Sequence, residues 1–117
     1  MVGQVLIGLI ALLHVYILVL EMFLWDKPYG LKAFGNSPEK AQLTKVMAQN
    51  QGLYNGFLAA GLFWSLCAPE SYVLALANFF LGCVLVAGIY GGLTASKKII
   101  YIQAVPAILA LLAVNFL

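Results

Sequence analysis

Four apolar runs, Val2–Trp25, Val46–Cys67, Tyr72–Gly92 and Ile99–Leu117, alternate with three polar breaks, and that pattern limits the chain more than any single motif. A hydrocarbon layer roughly 30 Å thick is crossed by about 20 residues at helical rise. Within it every backbone N–H and C=O must be paired inside its own segment, so runs of this length fold as helices. The prediction is an all-α polytopic membrane protein, an antiparallel four-helix transmembrane bundle forming one domain over residues 1–117.

Charge sets the expected orientation. Only 9% of residues are charged and 64% are hydrophobic, against about 25% charged in a soluble domain. All six basic residues are lysines. Lys27, Lys32, Lys40 and Lys45 surround the first connection, Lys97 and Lys98 occupy the third, and the second carries only Glu70. The positive-inside rule then places the first and third connections in the cytoplasm and both termini outside. The bilayer is the expected partner, with the lysines at its anionic headgroups. Dispersed lysines make no basic groove, so nucleic acid is not an expected partner.

The first run has no basic n-region and no A-x-A site, which predicts a retained span rather than a cleaved signal peptide. Residues 26–45 form the longest connection. Within it Ser37-Pro38-Glu39 reads as N-cap, proline at the first helical position and first-turn acid, so the second helix is expected to begin near residue 38, ahead of the membrane. Pro69 suits the start of the third helix, and Pro106 is expected to bend the fourth. Cys67 and Cys83 lie at different depths and read as small apolar residues rather than a bridge.

Several polar groups interrupt this apolar framework. The second span opens with Gln49, Asn50, Gln51, Tyr54 and Asn55 within two helical turns. Carboxamides in hydrocarbon are costly without partners. His14 and Glu21 are seven residues apart in the first span, hence on one face, about 10 Å apart along the axis. Counting helical rise from the cytoplasmic ends puts Glu21, Gln49, Gln51, Tyr90, Tyr101 and Gln103 at about 5–9 Å and His14 and Asn55 in a deeper tier at about 15 Å.

Two readings follow. In one, Glu21 and His14 are acid or base in a cytoplasmic-side pocket, and Gln49, Asn50, Gln51, Tyr54, Asn55, Tyr90, Tyr101 and Gln103 bind a small amphipathic ligand. In the other, the same groups form a mutually satisfied network that fixes helix register, with His14 bonded to Asn55. No metal site is expected, because the ligating residues fall at mismatched depths. Phosphate-loop, nucleophile-elbow, zincin and dinucleotide motifs are absent, and the sequence names no particular cofactor.

At HVYILVLEMFLW (His14–Trp25) and NQGLYNGFLAAGLFW (Asn50–Trp64), and through KPYGLKAFG and KVMAQNQGLYNG, the chain resembles a family of small bacterial four-span membrane proteins known as domain of unknown function 1304. That resemblance implies a multi-pass protein of the bacterial inner membrane and implies no catalytic residue. A likeness in layout also connects it to the membrane-associated eicosanoid and glutathione metabolism proteins. Their R-x-x-x-N-x-x-E pattern fits neither register of the second helix here, and the chain has no arginine.

Three functions are carried forward: binding or modification of a small amphipathic molecule, proton-coupled export, and a structural or assembly role. Gly52, Gly56, Gly88 and Gly92 offer smooth faces on which a homo-oligomer could pack.

Overall fold

A computed structural model describes residues 1–117, and the chain is all-α. Its helices are α1 (Val2–Met22), α2 (Pro28–Phe34), α3 (Pro38–Cys67), α4 (Glu70–Thr94) and α5 (Val105–Phe116), the last entered through a π turn at Ile100–Ala104. Helices α1 and α4 are long and apolar enough to cross a membrane. The chain divides into two compact units, one of residues 1–12 and 58–117 and the other of residues 13–57.

The first unit has an aliphatic core. Ile7, Ile10, Ala11, Leu62, Ala77, Leu81, Val84, Ala107 and Ala110 are buried together. Many of these are alanines, and small residues let helix backbones approach closely. Helix α4 meets the backbone of the π turn directly, where a methyl built on Gly88 would stand 2.6 Å from the Ala104 nitrogen. Gly92 is pressed against the Ile100 side chain, and Gly61 against the Phe80 ring. The π turn immediately precedes Pro106, whose ring would collide with the carbonyl of residue 102 in an unbroken α-helix. Val105 N–H instead donates five residues back to Ile100 O, the widened pattern of a π turn.

In the second unit α1 ends at Met22 and the chain turns through residues 23–27 into α2. Gly30 packs on the backbone of Leu24 with no room for a side chain. Gly35 closes α2 in the left-handed conformation, φ 66°, which glycine adopts without a Cβ penalty. Helix α3 then begins at Pro38, where Ser37 Oγ accepts the Lys40 N–H at 3.1 Å, satisfying one of the orphan donors of a helix start.

Candidate functional site

The second unit holds the two buried titratable groups. His14 is fully buried and Glu21 is 7% exposed, so the seven-residue spacing does place both on the inward face of α1. Their neighbour on α3 is set by glycine. A methyl on Gly52 would lie 2.6 Å from Met22 Cγ, 3.1 Å from Glu21 Cβ and 3.3 Å from Leu18 O, and one on Gly56 would lie 2.7 Å from Leu18 Cδ1. The two glycines bring the α3 backbone against α1, and Asn55 between them reaches the carboxyl. Asn55 Nδ2 donates to Glu21 Oε1 at 2.6 Å.

That bond corrects the expected tiers, because Glu21 and Asn55 meet at one level. The depth count applied helical rise up to Trp25, but α1 stops at Met22. Residues 23–27 curl in a turn instead, with Leu24 N–H donating to Val19 O and Lys27 N–H to Leu24 O, so a count at helical rise through them does not measure depth. Asn55 is therefore the partner of Glu21, where pairing with His14 was expected.

The other candidates are distributed differently. Gln49 and Gln103 are half-buried, while Asn50, Gln51, Tyr54, Tyr90 and Tyr101 are exposed. Tyr54 stacks at a tilt on Phe57, ring centroids 5.9 Å apart. Gln103 sits beside Gly88. Tyr90 contributes its carbonyl to the Thr94 hydroxyl at 2.7 Å. No cluster of three or more metal-ligating side chains forms, and Cys67 and Cys83 are free.

Sequence reasoning missed how the first connection is fastened. Lys45 Nζ donates to Asp26 Oδ2 at 2.9 Å, the chain's one ion pair, and its ammonium holds the Asp26 carboxyl below the usual carboxylate range. Beside it Trp25 Nε1 donates to Thr44 Oγ1 at 3.1 Å. The Tyr16 and Tyr29 hydroxyls are hydrogen-bonded, tying α2 back along α1. In the first unit Asn78 and Asn115 exchange amide bonds at 2.7 and 3.2 Å. The rule applied to the second span, that amides in apolar helices need partners, would have found that pair.

Comparison with known proteins adds a relationship without an activity. Residues 8–115 match the model of a family described as protein of unknown function (DUF1304). The chain is 33% identical over 110 residues to the uncharacterized protein YpaA of Lactococcus lactis subsp. lactis (strain IL1403), covering 92% of each. No solved structure matches.

Proposed function

The chain belongs to the DUF1304 family, and from that premise we propose that it is a four-span protein of the bacterial inner membrane that binds a small amphipathic molecule at Glu21. The spans of this reading are α1, residues 46–67 of α3, α4, and residues 99–117, with both termini outside. Its support is exposure. Only 22% of the apolar window of α4 is buried, and 33% of that of α1. A core helix of a soluble protein would be mostly buried, and α4 is too far from the N-terminus to be a signal sequence. Leu9, Leu12, Val86, Ile89, Leu109 and Leu112 all face outward, a surface that lipid would cover.

The observation that carries the site is the environment of Glu21. Its carboxyl is buried in a candidate span, its hydrogen-bond partner is the neutral Asn55 amide, and the single ion pair of the chain lies elsewhere. An ionisable group inside a membrane segment is a functional candidate by default. The counter-charge that the protein does not supply would come from the ligand, which makes an amphiphile carrying a cationic or hydrogen-bond-donating group the matching class. Asn55 holds the carboxyl, and His14 on the same face is the second acid or base. Of the remaining candidates in this unit, Gln51 stands about one helical turn from Asn55 on the same face of α3 and orients the ligand, whereas Gln49, Asn50 and Tyr54 do not share that face and are left out. Tyr90, Tyr101 and Gln103 belong to the other unit and are left out of this site.

The test is mass spectrometry of small molecules retained by the purified protein in nanodiscs. An amphipathic species should be held by the wild type and lost from Glu21→Gln at unchanged melting temperature. Equal retention by both would end this reading. The same missing counter-charge favours a second reading, proton-coupled export, in which a proton replaces the ligand on Glu21. There Glu21→Gln should abolish proton-driven efflux from vesicles. The assembly reading has less support, because Gly52, Gly56, Gly88 and Gly92 are all occupied by the chain's own helices.

A further inference from the structure

An ionised carboxylate has acceptors and no donor, whereas a carboxamide has both. Asn55 can therefore meet Glu21 only by turning its nitrogen to the carboxylate, and Nδ2 does donate to Oε1. That orientation points the amide oxygen elsewhere. Neither Glu21 Oε2 nor Asn55 Oδ1 takes a hydrogen bond from the protein, and neither atom is sealed in the interior. The buried Glu21 and the half-buried Asn55 thus offer two neighbouring acceptors at the surface of the site. Gln51 is exposed one turn before Asn55 on the same face of α3, and its side-chain carbonyl supplies a third.

No cation of the protein competes for these oxygens. Lys45 is held by Asp26 at 2.9 Å, and Lys27 acts on Asp26 and not on Glu21. A buried carboxylate needs a counter-charge, so an alcohol or neutral amide head would bond to the oxygens and leave the charge unmatched. A quaternary ammonium would match the charge but has no N–H. Its methyl groups would strip water from Oε2 and Oδ1 without replacing a hydrogen bond, which is costly. A primary ammonium carries both the charge and three N–H donors.

We propose that the head group taken at Glu21 is a primary ammonium, with one N–H to Glu21 Oε2, one to Asn55 Oδ1 and one to the Gln51 side-chain carbonyl. This rests on the reading of Glu21 as the partner of a ligand's counter-charge, and it names the head group which that reading leaves open. An aminolipid of the bilayer and a soluble alkylamine share this chemistry.

The experiment uses the full chain in phosphatidylglycerol nanodiscs, with the asparagine side-chain amides isotope-labelled for NMR. The two probes have equal charge and tail: dodecylammonium and dodecyltrimethylammonium. A saturable shift is expected at the Asn55 amide and not at that of Asn78, which belongs to the other unit. Dodecylammonium should bind at least about tenfold more tightly than dodecyltrimethylammonium, the size of a hydrogen bond to a charged group. Gln51→Leu, at an exposed position, should narrow that gap by weakening dodecylammonium alone. In discs with added phosphatidylethanolamine, weakened dodecylammonium binding would identify the lipid as the natural occupant, and unchanged binding would identify the soluble amine. Equal affinity of the two probes for the wild type, with both lost in Glu21→Gln, would overturn the primary ammonium and leave Glu21 as the site. Dodecylammonium binding unchanged by Glu21→Gln would overturn the reading of Glu21 itself, and this proposal with it. The comparison of probes on the wild type decides the head group whether or not Glu21→Gln folds.

Discussion

Asn55 Nδ2 lies 2.6 Å from Glu21 Oε1 across 34 residues of sequence, and the contact exists because Gly52 and Gly56 carry no side chain on either side of it. Removing the amide leaves a buried carboxyl without its donor. Asn55→Leu is therefore expected to cost about 1–3 kcal/mol. Glu21→Leu combined with Asn55→Leu should cost less than the sum of the single changes, with a coupling of about 0.6–1.7 kcal/mol. A double-mutant cycle on unfolding in detergent measures this, and strictly additive effects would show that the bond contributes nothing.

Two glycines of α4 should behave in opposite ways. A methyl on Gly88 would meet the backbone nitrogen of Ala104 at 2.6 Å, whereas Gly82 has nothing within 4 Å of the same position. Backbone cannot swing aside as a side-chain end can, so Gly88→Ala should cost about 1–3 kcal/mol by overpacking. Gly82→Ala should be neutral or stabilise by up to about 1 kcal/mol, because alanine is the better helix former. Thermal unfolding of the two variants checks the contrast.

How much of this was legible beforehand depends on what each feature needs. Helix type followed from the length of the apolar runs, and α3 begins where Ser37-Pro38-Glu39 gives a starting signal, because capping is local chemistry. The direction of the amides was not legible. Successive residues on a helix point about 100° apart, so Gln49 to Asn55 cannot share one face, and only Asn55 lies between the two glycines that touch α1. Neither was the level of Glu21, which depends on the non-helical residues 23–27. The fastening of α2 is long-range as well: Trp25 meets Thr44 and Asp26 meets Lys45, each across 19 residues. Pro106 announced a disturbance of the last helix but not that a π turn would absorb it.

The Asp26–Lys45 pair makes the first connection sensitive to acid. The carboxyl is held below its ordinary range by the lysine ammonium, so folding retains it ionised more firmly than the unfolded chain does. The pair's contribution is complete above the unfolded value of about 3.9 and is lost as pH falls through the lower folded value. Trp25, hydrogen-bonded to Thr44 beside the pair, is the natural reporter. In a Trp64→Phe background its fluorescence should change below about pH 4, and Asp26→Asn should show the acid-state signal at all pH values. High salt should shrink the effect, because Lys45 is partly exposed and exposed pairs are screened.

Asn78 and Asn115 share two hydrogen bonds where Glu21 and Asn55 share one, yet breaking their contact should matter less. Each amide exchanges bonds with the other, at 2.7 and 3.2 Å, and each also donates to a carbonyl of its own helix, Leu74 O at 2.9 Å and Leu111 O at 2.8 Å. When one asparagine is removed the survivor keeps that local acceptor, so no buried group is stranded. Asn78→Leu and Asn115→Leu should each cost about 0.6 kcal/mol, the average for polar contacts between membrane helices, and well below Asn55→Leu. Unfolding of all three variants under one condition checks the order. Equal costs would mean that the local carbonyls do not compensate for the lost amide bonds.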